Sequence, residues 1–192
     1  LFVHTTLVPF IYGSNELKTK PTQHSVMDLR GMGIQPDIIV CRAPVELDEN
    51  LKAKISLFCS VPVENVIDSV DVKNIYQIPI NYYNQKMDEI VLKQFNLDIK
   101  KSNLSEWQQL INTVNNLNNE IEISLVGKYI ELHDAYISVV ESLKHAGYFY
   151  KTKININWVD SEKLEDEVDL DKIFKNSKGI LVPGGFGNRG IE

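Results

Sequence analysis

The sequence predicts an α/β protein built on parallel sheets. Three observations carry that expectation. Short apolar runs alternate with stretches of helical period, the alternation occurs in two blocks, and an asparagine-rich stretch separates the blocks. Strands joined through helices pair in parallel and cross over with one hand, so each block forms a sheet with helices packed on it.

In the first block, Pro21 and Thr22 open an amphipathic stretch from Gln23 to Met32, closed by Gly31 and Gly33. QPDIIVCR, ending at Arg42, is short, apolar and rich in β-branched residues, as a buried strand is. ELDENLKAKISLFC follows as a helix with Leu47, Leu51, Ile55 and Phe58 on one face, at helical spacings of four, four and three. NVIDSVDV and IYQIP are expected to be strand or extended, and MDEIVLKQF a further helix. Between Asn96 and Asn119 there are seven asparagines and few bulky core residues, which predicts a linker. Ser105 and Gln108 form a capping-box pattern before Leu110 and Ile111, so the linker is expected to carry a short helix. The second block reads EIEISLVG as a strand and HDAYISVVESLKHAG as a helix. That helix carries Tyr136, Val139, Val140 and Leu143 on one face and stops at Gly147. TKININWV is a strand, VDLDKIFKN a short helix, and GILVPGGFG a strand running into a glycine turn. Ligands of such sheets bind beyond the carboxyl ends of the strands, where this turn lies.

The 192 residues are 43% hydrophobic and 24% charged, enough for a packed core in one full domain or two partial ones. No apolar run approaches the roughly 18 residues of a membrane span. The opening LFVHTTLVPF lacks a basic leader and a small-residue cleavage site, unlike a secretory signal. A net charge of -6 argues against a general nucleic-acid coat but leaves room for a local cationic pocket. Cys41 and Cys59 are 18 apart and outside any paired motif, as expected of reduced core thiols in a cytoplasmic protein.

Three groups of residues suggest chemistry. Lys18 and Lys20 flank Thr19 just before Pro21, Thr22 and Gln23. In an extended segment the two ammonium groups point the same way, beside a helix N-terminus that favours anions. That makes a triphosphate cradle, although the spacing alone also fits a solvated lysine pair, the commoner case. PGGFGNRG, from Pro183 to Gly190, can form a backbone anion nest or an oxyanion hole, or be an ordinary glycine-rich loop. Arg42 ends a strand and Lys54 sits on a helix, either as nucleotide contacts or as surface charges. No G-x-x-x-x-G-K-[ST] is present, because Tyr129 follows Gly127 and Lys128, and Glu122 stands where the first glycine belongs. Neither cysteine lies in a glycine-flanked turn like that of a glutaminase nucleophile.

Taken together, KTKPTQHSV (18 to 26), GIQPDIIVCR (33 to 42), KISLFC (54 to 59), VGKYIELHDAY (126 to 136), ESLKHAG (141 to 147) and ILVPGGFGNRGIE (180 to 192) resemble the CTP synthase family in order and interval. The resemblance covers essentially the whole chain. It implies that 1–95 is the end of a P-loop-type, dethiobiotin-synthetase-like parallel-sheet domain and 96–119 a linker. It implies that 120–192 is the start of a flavodoxin-like class I glutamine amidotransferase domain. The activity implied is ATP- and magnesium-dependent amination of UTP to CTP with ammonia from glutamine, activated by GTP, in a tetramer. Residue by residue, Lys18, Lys20 and Gln23 match positions that bind the UTP or CTP triphosphate across a subunit interface, and Lys54 matches another cation at that pyrimidine-nucleotide site. Arg42, Asp71 and Val72 match positions near the ATP adenine. Gly184, Gly185 and Phe186 match the glutamine pocket, with Gly185 in the oxyanion region, and Arg189 matches the loop that responds to GTP. The family's phosphate loop and magnesium carboxylates are expected before Leu1, and its cysteine, histidine and glutamate triad after Glu192. The chain alone is therefore expected to be inactive. A non-catalytic nucleotide-binding or assembly module related to glutamine amidotransferases is the alternative.

Overall fold

The computed structural model describes residues 1–164 and 169–184. The chain divides into two compact units, Leu1–Leu104 and Ser105–Glu192, parted within the asparagine-rich stretch.

The first unit opens with β1 (Val3–Leu7) and a small hairpin of β2 (Phe10–Ile11) and β3 (Glu16–Leu17). Then come α1 (Lys20–Gly31), β4 (Ile38–Ala43), α2 (Glu49–Cys59), β5 (Val66–Val70), α3 (Ile78–Asn84) and α4 (Met87–Gln94). Strands β1, β4 and β5 pair in that order, all parallel. Central β4 explains why Ile38 to Cys41 is a continuous apolar run: both of its faces are covered. Ile39, Cys41 and Ala43 join Val26 of α1 and Ile55 and Cys59 of α2 in one core. Ile38 and Val40, with Ile67, meet Tyr82, Met87, Ile90 and Val91 of α3 and α4. Each fully buried isoleucine contributes about 1.5–3 kcal/mol of hydrophobic stabilisation.

Two expectations for this unit are corrected. The apolar face of α2 runs through Leu51, Ile55 and Cys59, whereas Phe58 is 54% exposed. The thiol, one residue further on, completes the spacing of four. IYQIP is helical, not extended, because it forms a 3-10 turn (Ile75–Gln77) that leads into α3. Asn74 caps that turn by accepting the Tyr76 N–H at 3.0 Å, and Pro79 stands in the first turn of α3, where its missing N–H costs nothing.

The second unit contains α5 (Ser105–Asn115), β6 (Asn119–Gly127), a 3-10 turn (His133–Tyr136) and α6 (Ile137–Phe149). β7 (Thr152–Asp160), α7 (Leu170–Ile173) and β8 (Ser177–Leu181) follow. The sheet order is β7-β6-β8, parallel throughout. The first strand of the unit is thus central, as at the start of a doubly wound sheet. The helix expected in the linker is α5, which buries Ile111 and packs beside α6. Asp169 caps α7 by accepting the Lys172 N–H at 3.1 Å.

Gly147 does not end its helix, which continues to Phe149. It is buried, and a Cβ there would lie 2.5 Å from the Thr152 carbonyl oxygen and 2.7 Å from Cγ1 of Ile154. The glycine lets α6 approach β7 closely, a packing role that sequence alone confuses with a stop signal.

Candidate functional site

In the first unit the parallel strands bring Leu7, Ala43 and Val70 to one carboxyl edge. Arg42 and Asp71 meet there, Nε donating to Oδ1 at 2.9 Å. The Asp71 N–H donates to the Ala43 carbonyl at 3.0 Å, which holds the chain just past β5 against β4. Val72 lines a neighbouring cleft of about 390 Å³ with Glu46, Lys52, Asp68, Asn81 and Asn84. Two of the three expected adenine-site residues are therefore paired directly, and the third follows one of them in the chain.

The start of α1 forms the second part of this site. Lys18 is bonded to Glu16 of β3, so the hairpin delivers a carboxylate to the first lysine. The hydrogen bond from Lys18 holds the Glu16 carboxyl below its usual range, aided by Ser14 and by the charges of Lys18 and Lys54. Lys54 lies on α2. Lys20 begins α1 and is exposed. Gln23 lies one turn in, its Nε2 donating to Oγ1 of the buried Thr19 at 3.1 Å.

Contrary to the expectation for an extended segment, Lys18 and Lys20 are not related by strand alternation, because Thr19 is already in helical conformation, φ −81° and ψ −13°. Pro21 contributes no N–H, and that of Gln23 donates to the Thr19 carbonyl at 3.1 Å. Attraction for an anion at this corner therefore rests on ammonium groups more than on free backbone donors.

Sequence reasoning missed Glu16, whose only signal was its place two residues before Lys18 in an extended segment. It also missed Lys52, whose Nζ lies 3.1 Å from Oδ2 of Asp68, a pair only 17% and 10% exposed. Burial raises the Asp68 carboxyl above its usual range, with Lys52 opposing.

In the second unit, Gly127 and Leu181 end adjacent strands β6 and β8. The strand order reverses between them, the position at which open α/β sheets take ligands. Val182, Pro183 and Gly184 follow that edge, and a Cβ at Gly184 would meet nothing within 4 Å. Gly185, Phe186 and Arg189 lie outside the described residues. Beside the edge, Gly127 packs against the ring and hydroxyl of Tyr136, and His133 stacks on Trp158 at 4.1 Å between centroids.

Both cysteines are free and buried. Burial, with lesser contributions from Asp68 and Cys59, pushes the Cys41 thiol up to about 12, and burial also raises Cys59. Both are held as neutral thiols. Among the described residues no three histidine, cysteine, aspartate or glutamate side chains converge as a metal site. Nor is any described helix long and apolar enough to cross a membrane.

Fold and site together define a class: one chain of two parallel α/β units, the first with Lys18 and Lys20 at the start of α1, the second with Pro183 and Gly184 just past its strand reversal. Residues 1–97 match the family described as CTP synthase N-terminus, and residues 131–192 match glutamine amidotransferase class-I. The chain belongs to the CTP synthase family. Along its whole length it is 54% identical to a CTP synthase of Caldanaerobacter subterraneus, of which it covers 36%. It is 51% identical to one of Staphylococcus carnosus and 47% identical to one of Clostridium acetobutylicum, again covering 36% of each. The chain thus spans about a third of the length of these curated relatives.

Proposed function

We propose that this chain forms part of an enzyme that aminates UTP to CTP, using ATP, magnesium and ammonia released from glutamine. In that role Lys18, Lys20 and Gln23 hold the triphosphate of UTP or of the product CTP, and Lys54 is a further cation at the same nucleotide site. Arg42, Asp71 and Val72 contact the ATP base. Gly184, Gly185 and Phe186 shape the glutamine pocket, where a backbone N–H of Gly185 meets the oxyanion, and Arg189 answers to GTP. ATP with magnesium supplies an activated phosphoryl group to the 4-oxygen of UTP. The complete enzyme works as a cytoplasmic tetramer, and the chain by itself is inactive.

The observation that carries this proposal is the pairing of Lys18 with Glu16 beside the start of α1, in a chain of this family. A bound triphosphate replaces Glu16 as the partner of Lys18, exchanging one carboxylate for several phosphate oxygens. The test is Lys20→Ala in an enzyme of full family length. Loss of one charge-assisted hydrogen bond costs about 1.5–3 kcal/mol, so the KM for UTP should rise and CTP inhibition should weaken together, each by about ten- to a hundredfold. Unchanged UTP kinetics would remove Lys20 from the site.

A further inference from the structure

Strand β5 lies at one edge of the first sheet, with β4 on its other side. On its open side the side-chain amide of Gln85 sits against the backbone of Asp68. The Asp68 N–H donates to Oε1 of Gln85 at 2.8 Å, and Nε2 of Gln85 donates back to the Asp68 carbonyl at 2.9 Å. Gln85 thereby offers the strand both partners that a neighbouring peptide would offer. The same Nε2 donates to the Asn81 carbonyl at 3.2 Å, tying the amide to the end of α3. One residue along β5, Oη of Tyr82 donates to Oγ of Ser69 at 2.9 Å. From the buried side, Lys52 pairs with the Asp68 carboxylate. The strand is thus fixed at Asp68 and Ser69, immediately before it delivers Asp71 and Val72 to the carboxyl edge.

We propose that Gln85 is a positioning residue for the nucleotide base: by clamping β5 to α3 it sets the backbone of Asp71 and Val72. The inference rests on the ATP contacts proposed above. Its energetic logic is that the segment from Val70 to Gln77 connects two elements whose relative position the clamp fixes. Without Gln85, α3 still rests on β5 through Tyr82 and its apolar neighbours, but Asp68 is no longer tied to the helix end, and the backbone past β5 is held by the Tyr82–Ser69 bond, the Asp71–Ala43 bond and the exposed Arg42–Asp71 pair. Ligand binding must then order it, which raises the KM for ATP and leaves the triphosphate corner at α1 unaffected.

The test uses an enzyme of full family length with ammonia as nitrogen source. Gln85→Leu removes both bonds to Asp68, and Gln85→Glu places a titratable isostere in the clamp. When protonated, the glutamic acid both donates and accepts as the amide does; when ionised, it faces the Asp68 carbonyl with no donor. Gln85→Leu should raise the KM for ATP about tenfold with the KM for UTP within about twofold. In Gln85→Glu the KM for ATP should lie near the parent value at low pH and climb as pH rises, a profile the parent lacks. Unchanged ATP kinetics in Gln85→Leu would overturn the proposal. So would equal losses for ATP and UTP in both variants, with no pH-dependent recovery. Arg42→Ala serves as the control for the underlying site. If it raises the KM for ATP while Gln85→Leu does not, the site stands and the clamp falls. If Arg42→Ala changes nothing, the site falls and the clamp's role with it.

Discussion

Arg42 and Asp71 join two neighbouring strands at their carboxyl ends through a single bond, Nε to Oδ1 at 2.9 Å, although their side chains are 65% and 51% exposed. Exposed pairs of this kind contribute about 0–1 kcal/mol to stability. Arg42→Ala should therefore leave thermal unfolding nearly unchanged and still raise the KM for ATP in an enzyme of full family length. A melting temperature several degrees lower would make the pair structural instead.

Lys52 and Asp68 should behave in the opposite way. Removing one partner from a largely buried pair strands the other's charge, so Lys52→Met should cost about 2–4 kcal/mol at neutral pH. In that variant Lys52 no longer opposes burial, so the Asp68 carboxyl rises further above its usual range. A folded-state value raised in this way penalises folding as pH rises above the unfolded value, and fully above the folded one, so the deficit should shrink as pH is lowered towards 4. Adding Asp68→Leu should recover most of the loss at pH 7. A deficit independent of pH, measured by urea unfolding across that range, would exclude the stranded carboxylate as its cause.

Gly147→Ala tests the contact of α6 with β7. Alanine gains about 1 kcal/mol of helix propensity, but its Cβ meets a backbone oxygen at 2.5 Å, which cannot move aside as a side chain can. Overpacking of this sort costs about 1–3 kcal/mol. The variant should be less stable overall in urea, and a gain in stability would show that the helix shifts freely.

Cys41 should resist alkylation in the folded protein at pH 8 and react once the protein is unfolded. Its thiol titrates near 9.0 when solvated and at about 12 when folded. Between those values unfolding releases a proton, so rising pH favours the unfolded chain. Wild-type stability should therefore fall more steeply above pH 9 than that of Cys41→Ala, by at most about 1.4 kcal/mol per pH unit. Parallel slopes would contradict a buried neutral thiol.

Much of this architecture is legible in the sequence wherever one element dominates its surroundings. The run from Ile38 to Cys41 announces a strand buried on both faces. IYQIP misleads because its β-branched residues read as strand, whereas the Asn74 cap and Pro79 decide for helix. Gly147 misleads because a glycine near a helix end and a glycine under a neighbouring strand look alike in one dimension. At the site, cation-rich motifs point to Lys18, Lys20 and Lys54, but the residues that pair with Lys18 and with the nearby strand do not stand out. Glu16 reaches Lys18 through a hairpin of two-residue strands, and Gln85 reaches Asp68 through a helix end that periodicity does not locate.

An open strand edge is a place where a second polypeptide can add itself, and such additions begin aggregates. At the outer side of β5 the N–H and carbonyl of Asp68 are already occupied by an amide from the same molecule. An intruding strand must first evict Gln85, and that costs two hydrogen bonds before any new one forms. The protection exists only once α3 has docked, so the same contact that positions the end of β5 also closes it to neighbouring chains.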